Sequence, residues 1–361
     1  MRVLEFTPDI PLEYGGGGMM RHIIGLSRYL RDAGHEVTIA SARVPAGALL
    51  APGFVRARGL GVVPYIRQVD VIHVHGGRMP EVALTALLAR AFRKPFLYTP
   101  HAYYDTPPTL QGSLQQRVRQ WLRVTRKTVW DQVVERALLR WARAVVLLSE
   151  PWVTYLRDRH LPTGRVVIIP SATEPVLIEP ISERLIGSPA ILSVGRLDPV
   201  KCIDDVIAAL REPGLGAAHL HVVGRGLERE RLEAEAHSYG VSDRVHFYGF
   251  VPDEEVAGLA AGADVYVIAS REEGMPLTLI EMILRGLPVA ASDIPGHRPL
   301  LESLGLEDRM FPLHARRALA ETVTRSVAEG VPAGMPEQLA SRYSWGVVGQ
   351  RILDLYRTAL T

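Results

Sequence analysis

Short apolar runs of strand length alternate with helix-length amphipathic segments along the whole chain. In the first half this pattern predicts strands at Arg2–Phe6, Glu36–Ala40, Val71–His75, Phe96–Thr99, Ala144–Leu148 and Val166–Ile169. Helices fall between them. The clearest covers Met20–Asp32, with Ile23, Ile24, Ser27 and Leu30 on one face and Gly34 as its stop. Repeated strand–helix alternation implies right-handed crossovers and a parallel sheet.

The stretch Thr173–Ser188 holds Pro175, Pro180 and Gly187 without a strong period and reads as a linker. The alternation then restarts. Strands are expected at Ala190–Val194, His219–Val223, Val245–Tyr248, Val265–Ile268 and Val289–Ala291, with helices at Cys202–Leu210, Leu227–Ser238 and Asp253–Ala261. A final helix, Trp345–Leu360, places Val348, Ile352, Leu355 and Tyr356 on one face. The expected organisation is an α/β chain with two doubly wound domains, 1–172 and 189–342, a linker at 173–188 and a tail helix at 343–361. Ligands of such sheets bind beyond the strand C-termini, so two facing domains would hold them in a cleft.

Composition narrows the class. At 361 residues, 47% hydrophobic and 22% charged, the chain is an ordinary globular protein long enough for two domains. Its one cysteine, Cys202, excludes an internal disulfide and a multi-cysteine zinc site. The N-terminal run carries Glu5 and Asp9 and has no signal-peptide core, and no uncharged apolar stretch reaches the ~18 residues of a membrane helix. A cytoplasmic protein is expected. The net charge of +2 conceals a split: residues 1–175 carry 23 Lys and Arg against 13 Asp and Glu, residues 176–361 carry 18 against 26. A first half that meets something anionic is implied.

Segment 114–143 concentrates that charge in Arg117, Arg119, Arg123, Arg126, Lys127, Arg136, Arg140 and Arg143, interleaved with Trp121, Trp130 and Trp141. Cations with indoles at helical spacing suit an anionic membrane surface, here the inner face, or equally an ordinary docked helix with a solvated basic side. No nucleic-acid module accompanies them, and no nucleic-acid partner is expected.

The most informative segment runs from Glu273 to Glu281. Gly274 and Pro276 mark a helix start, with Pro276 expected at the first helical position, and Gly286 with Pro288 closes the helix. Two carboxylates thus bracket a helix N-terminus whose free amides and positive dipole end suit phosphate. Carboxylates for hydroxyls beside amides for phosphate point to a sugar nucleotide. Upstream, Gly195 and Arg196 follow a strand and lead to Lys201, a second source of positive charge for a diphosphate. The glycine run Gly15–Gly18 opens the first helix, yet Met20 breaks the dinucleotide fingerprint and weighs against a dehydrogenase. His73 and His75 share a strand face, but no carboxylate or cysteine accompanies them in the motif, so no metal site is expected. His101 closes the strand Phe96–Thr99.

In this order and spacing, the Gly15–Gly18 loop, DVIHVHG, YTPHAYY, VGRLDPVK, VVGRG, EEGMPLTLIE and the SW-led tail resemble the retaining glycosyltransferases of family 4 over nearly the whole chain. That resemblance implies the GT-B fold, two facing Rossmann-like domains with a cleft between them and a C-terminal helix crossing back onto the first. It implies catalytic roles for Arg196 and Lys201 on the donor diphosphate, and for Glu273 and His101 at the transferred sugar. Donor-binding positions would be Gly16, Gly17, Gly195, Gly224, Arg225, Phe250, Val251, Met275, Pro276, Leu277, Thr278 and Glu281, the last at the ribose. The first domain would bind the acceptor and the second the nucleotide sugar. The implied reaction moves a sugar from a nucleotide-diphosphate donor to a hydroxyl acceptor (glycan, lipid-linked or small molecule), needs no metal or other cofactor, and proceeds by front-face attack with retention. Ser171 stands where the family frequently has Asn, and Met275–Pro276 where it often has Phe-Gly; the latter leaves the sugar open, since those backbone amides line the sugar pocket in the family. A sugar-nucleotide epimerase, a phosphorylase or a non-catalytic sugar-nucleotide-binding subunit are the alternatives.

Overall fold

The computed structural model describes residues 1–9, 17–44, 52–103, 121, 124–173 and 184–361. Gly15, Gly16, most of the linker and Arg117, Arg119 and Arg123 of the basic segment lie outside the described residues. The chain divides into two compact units, Met1–Ala172 with Tyr343–Thr361, and Thr173–Arg342.

The first unit is built on strands β1 (Arg2–Thr7), β2 (Glu36–Ser41), β3 (Phe54–Arg56), β4 (Val71–His75), β5 (Phe96–Thr99), β6 (Ala144–Leu147) and β7 (Val166–Ile168). They lie in the order β3-β2-β1-β4-β5-β6-β7, all parallel. Alternate residues serve opposite faces. Leu4, Phe6, Ile72, Val74, Tyr98 and Val145 pack into one layer. Val3, Val71, Leu97 and Val146 face the other, which is covered by Leu26 and Leu30 of the helix Gly18–Asp32 and by Val348, Ile352, Leu353 and Tyr356 of the helix Trp345–Leu360. Apolar residues on both faces are what a fully covered parallel sheet demands. The tail helix therefore completes the core of the unit that begins the chain.

The second unit repeats the plan with β8 (Ala190–Val194), β9 (His219–Val223), β10 (Val245–Gly249), β11 (Val265–Ile268), β12 (Val289–Ser292) and β13 (Met310–Phe311) in the order β10-β9-β8-β11-β12-β13, again all parallel. Both sheets are Rossmann-like, and the order reverses between β1 and β4 and between β8 and β11. The crevice at such a switch point is where doubly wound sheets bind ligands.

Two strands, β3 and β13, escaped the sequence reading. At three and two residues they are too short to show an alternation, and both lie at sheet edges. Pro276 is the residue before the helix Leu277–Leu284, not its first residue, with φ −83° and ψ 82°. That helix ends in a Schellman arrangement: the N–H of Leu287 reaches Met282 O at 3.0 Å and that of Gly286 reaches Ile283 O at 2.9 Å. Gly286 has φ 74°, a left-handed value that favours glycine there.

Ile352 is fully buried between the tail helix and the first sheet. Ile352→Ala should cost about 2–5 kcal/mol, the usual range for such a core truncation. Urea unfolding followed by tryptophan fluorescence measures it.

Candidate active site

At the β8/β11 switch point the chain leaves β8 through Gly195, Arg196 and Leu197 and turns back at Asp198. The Asp198 carboxylate accepts the N–H of Val200 at 3.1 Å, which caps the 3-10 turn Pro199–Lys201. Lys201 is carried back over Gly195, where an added Cβ would stand 3.5 Å from the Lys201 Cε. The Lys201 Nζ donates to Glu273 Oε1 at 2.6 Å. The Glu273 side chain is 9% exposed. Burial pushes its carboxyl up, and the Lys201 ammonium, with His297 behind it, outweighs this and holds it below the usual carboxylate range.

Arg196 is held differently. Its guanidinium pairs with Asp198 at 3.0 Å, and its side chain is 69% exposed. In the sequence Arg196 and Lys201 read together as positive charge for a diphosphate; the structure pairs each with its own carboxylate, and only the lysine's, Glu273, is buried.

Glu273 is pinned from behind as well. A Cβ at Gly296 would lie 2.5 Å from Glu273 O, so the Gly296 backbone packs directly on this turn. The next residue, His297, is fully buried, and its Nδ1 sits 2.8 Å from Ser292 O. Its Nε2 has no hydrogen-bond partner among the described residues. Burial lowers the pKa of His297. Nothing in the local pattern marks this histidine, because only the fold brings the loop after β12 to Glu273.

Around the helix Leu277–Leu284 the expected residues assemble as follows. Glu281 Oε1 accepts the Thr173 hydroxyl at 2.8 Å. Tyr266 donates to the Thr278 hydroxyl at 2.9 Å. The Leu277 N–H turns back to Met275 O at 3.0 Å, so this amide of the helix start expected to meet phosphate is already engaged. Further along the same sheet edge, Gly224 at the end of β9 has φ 141°, and a Cβ there would fall 1.7 Å from Gly195 O. Only glycine fits so close an approach. Arg225 lies over the Phe250 ring at 5.7 Å, with Phe250 half exposed and Val251 buried.

In the first unit Gly17 precedes the helix Gly18–Asp32 and its carbonyl accepts the N–H of Met20 at 2.9 Å. His101 follows β5, partly exposed, with φ 65°. Behind it lies a polar cluster inside the covered sheet. The strand motif itself holds no carboxylate beside His73 and His75; β1 supplies one, because Glu5 pairs with His73 across β1 and β4. All three are fully buried, with ligand-type atoms within 4.8 Å of one another. Each of those atoms already carries a hydrogen bond. His75 Nε2 lies 2.6 Å from Glu5 Oε2, and Tyr356 donates to Glu5 Oε1 at 2.7 Å. His73 bridges Tyr356 and Thr99, each at 2.7 Å, and His75 Nδ1 lies 3.0 Å from His101 Nε2. His22 stands edge-on to His101 and bonds Ser171 through Nδ1 at 2.5 Å.

The basic segment sorts its charges by face. Asp131 and Glu135, one turn apart on the π-helical stretch Asp131–Glu135, point inward. Asp131 takes both arms of Arg78, at 2.8 and 2.7 Å. Glu135 accepts Tyr103 at 2.6 Å and Tyr98 at 2.9 Å, and burial pushes its carboxyl up to about 7. Arg126, Arg140 and Arg143 are left on the outside with Trp121, whereas Trp141 lies beneath Arg90 at 5.2 Å.

Comparison with known proteins places this geometry. The family model described as glycosyl transferases group 1 matches residues 180–328, and that described as glycosyltransferase family 4 matches residues 16–175. The chain is 28% identical to a 2-deoxystreptamine N-acetyl-D-glucosaminyltransferase of Streptomyces fradiae, covering 100% of this chain and 97% of the relative. It is 26% identical to a phosphatidyl-myo-inositol mannosyltransferase of Mycobacterium leprae, covering 99% and 96%. Among solved structures, a sucrose-phosphate synthase of Thermosynechococcus elongatus superposes with a TM-score of 0.78 at 22% identity, covering 99% of this chain and 98% of the other. Anabaena Alr3699/HepE, solved with UDP and glucose, gives 0.75 at 18%, covering 99% and 100%. Two Rossmann-like units of the GT-B fold and these matches define a glycosyltransferase. The chain belongs to glycosyltransferase family 4.

Two pH dependences follow. Glu273 has a folded pKa below its unfolded value near 4.5, so its pairing stabilises the fold above that pH and is lost as pH falls through the folded pKa. The stability difference between wild type and Glu273→Gln should therefore shrink on acidification below about pH 4.5, read by urea unfolding. Glu135 has the opposite sign. Its raised pKa favours the fold at low pH, and that advantage is lost between about 4.5 and about 7. Glu135→Gln should gain on wild type across that interval in the same measurement.

Proposed function

We propose that the protein transfers a sugar from a nucleoside-diphosphate donor to a hydroxyl acceptor with retention of anomeric configuration and without a metal ion. The observation that carries this reading is the Lys201–Glu273 pair seated at the β8/β11 switch point beside the start of the helix Leu277–Leu284. Departure of a diphosphate needs positive charge fixed in advance where negative charge develops. Lys201, Arg196 and the positive end of that helix supply it. Glu281, oriented by Thr173, suits the two hydroxyls of a ribose. Glu273, kept ionised by Lys201, suits hydroxyls of the transferred sugar. The Anabaena neighbour's complex with UDP and glucose supports a donor of this kind.

In the mechanism we favour, the leaving phosphate oxygen takes the proton of the attacking hydroxyl on the same face of the sugar, and no enzymic nucleophile intervenes. The names of the relatives point to acceptors carrying ring hydroxyls, free or lipid-linked. The first unit would receive the acceptor and the second the donor.

A cytoplasmic chain working at the inner membrane face extends the reading. Arg90, Arg93, Lys94, Arg140, Arg143 and Arg165 line a depression of about 730 Å³, and Trp121 is 65% exposed. Among the described residues no helix is long and apolar enough to cross a membrane, so contact would be at the surface.

The test is a mass-spectrometric screen of UDP-, GDP-, ADP- and TDP-sugars against 2-deoxystreptamine and myo-inositol, with the product anomer assigned by NMR. Lys201→Ala should lower turnover of the productive pair ~10²-fold or more, the scale of losing one charge-stabilising donor. EDTA should leave turnover unchanged. Inversion of the anomer, or full activity in Lys201→Ala, would overturn the mechanism. Flotation with phosphatidylglycerol vesicles should exceed that with neutral vesicles; equal partition would remove the membrane from the reading.

A further inference from the structure

His101 is the only member of the buried histidine cluster that is partly exposed, and its backbone is held at φ 65°, a conformation uncommon outside glycine. Strain of this kind is kept where a side chain has to be aimed. His101 meets the cluster through one nitrogen, Nε2, 3.0 Å from His75 Nδ1, and no hydrogen bond is made by its Nδ1 among the described residues. His75 in turn meets Glu5 through its other nitrogen at 2.6 Å. A neutral imidazole has one donor and one acceptor nitrogen, so each bond in this line dictates the next.

We propose that Glu5 and His75 are positioning residues that fix His101 as its Nε2–H tautomer, leaving the Nδ1 lone pair to accept a hydroxyl proton of the sugar. The assignment rests on the reading of His101 as a sugar contact. Starting from a Glu5 carboxylate, His75 Nε2–H donates to Oε2, and His75 Nδ1 is left as an acceptor. It takes the Nε2–H of His101, whose Nδ1 is then bare. The second oxygen of Glu5 receives the Tyr356 hydroxyl proton, and His73 donates to that same hydroxyl from Nδ1, leaving its Nε2 to accept from Thr99. One carboxylate thereby sets the tautomers of three imidazoles.

The groups facing Glu5 are His73 and His75 from β4, Tyr356 from the tail helix and Arg31 from the helix Gly18–Asp32. Burial pushes the carboxyl up, and His73, Tyr356 and Arg31 oppose it. Burial and the neighbouring imidazoles hold His101 well below the ordinary histidine range, so it works as a neutral ring. Protonating Glu5 would reverse the bonds of the His75–His101 line and turn His101 Nδ1 into a donor, the wrong partner for a hydroxyl that must give its proton.

Nitrogen-15 NMR of histidine-labelled protein without ligand reads the tautomer directly. In wild type His101 Nδ1 should show the shift of a bare nitrogen and Nε2 that of a protonated one. In Glu5→Gln the amide oxygen can still accept Tyr356 while its N–H donates to His75, so the two His101 shifts should exchange. Turnover of the donor–acceptor pair found by the screen should fall ~10²-fold or more, as when a carboxylate-to-amide change imposes the wrong tautomer. KM should stay within about threefold, and the pH profile of Glu5→Gln should lack the acid limb that Glu5 gives wild type. Should Glu5→Gln fail to fold, the wild-type spectrum alone decides. A protonated Nδ1 in wild type, or the same tautomer in both proteins, overturns the relay. If the shifts exchange as stated while His101→Ala keeps full turnover, the relay stands and the sugar contact is what falls.

Discussion

A parallel sheet covered on both faces has no water within reach, so a polar side chain inside it must find its partner in protein. Nearly everything else in this molecule follows from that demand. The strands are apolar on both sides, and chemistry is displaced to their C-terminal ends, where Gly195, Arg196, Lys201 and Glu273 gather about one switch point. Where polar groups do enter the sheet, as Glu5, His73 and His75 do, they are bonded to one another, to Thr99 and to Tyr356.

The two units meet this constraint with different tools. In the second unit a buried carboxylate is kept charged by an ammonium 2.6 Å away. In the first, neutral imidazoles and hydroxyls carry the network, and no lysine or arginine side chain hydrogen-bonds Glu5 among the described residues. An ion pair fixes charge, whereas a line of neutral hydrogen bonds fixes direction. The first suits a group that meets developing charge, the second a group that must present one particular lone pair.

The strand–helix alternation, the two repeats and the tail helix were legible because period and length are local properties. Val71–His75, Ala190–Val194 and Val265–Ile268 could be read to the residue, the last being an unbroken apolar run. β3 and β13 were not, since a strand of two or three residues has no period to read. Glu273, Lys201 and Glu281 stood out through their place around turns. Glu5 and His297 did not. Glu5 looks like an ordinary charge in a short N-terminal run, and only the pairing of β1 with β4 sets it against His73. His297 lies in the loop after β12, brought to Glu273 through the close approach of Gly296. The pairing of Arg196 with Asp198 was likewise invisible, because two residues apart on a turn can point anywhere.

Met1–Ala172 shares its core with Tyr343–Thr361, so the unit synthesised first is finished last. While the ribosome works through the second sheet, Val3, Val71, Leu97 and Val146 await Val348, Ile352 and Tyr356, and Glu5 awaits a hydroxyl 351 positions downstream. Until then an apolar sheet face stands open in a nascent polypeptide, a surface of the kind that chaperones hold and that aggregation exploits. Emergence of residues 343–361 from the exit tunnel, rather than completion of residues 1–172, is the event that closes it.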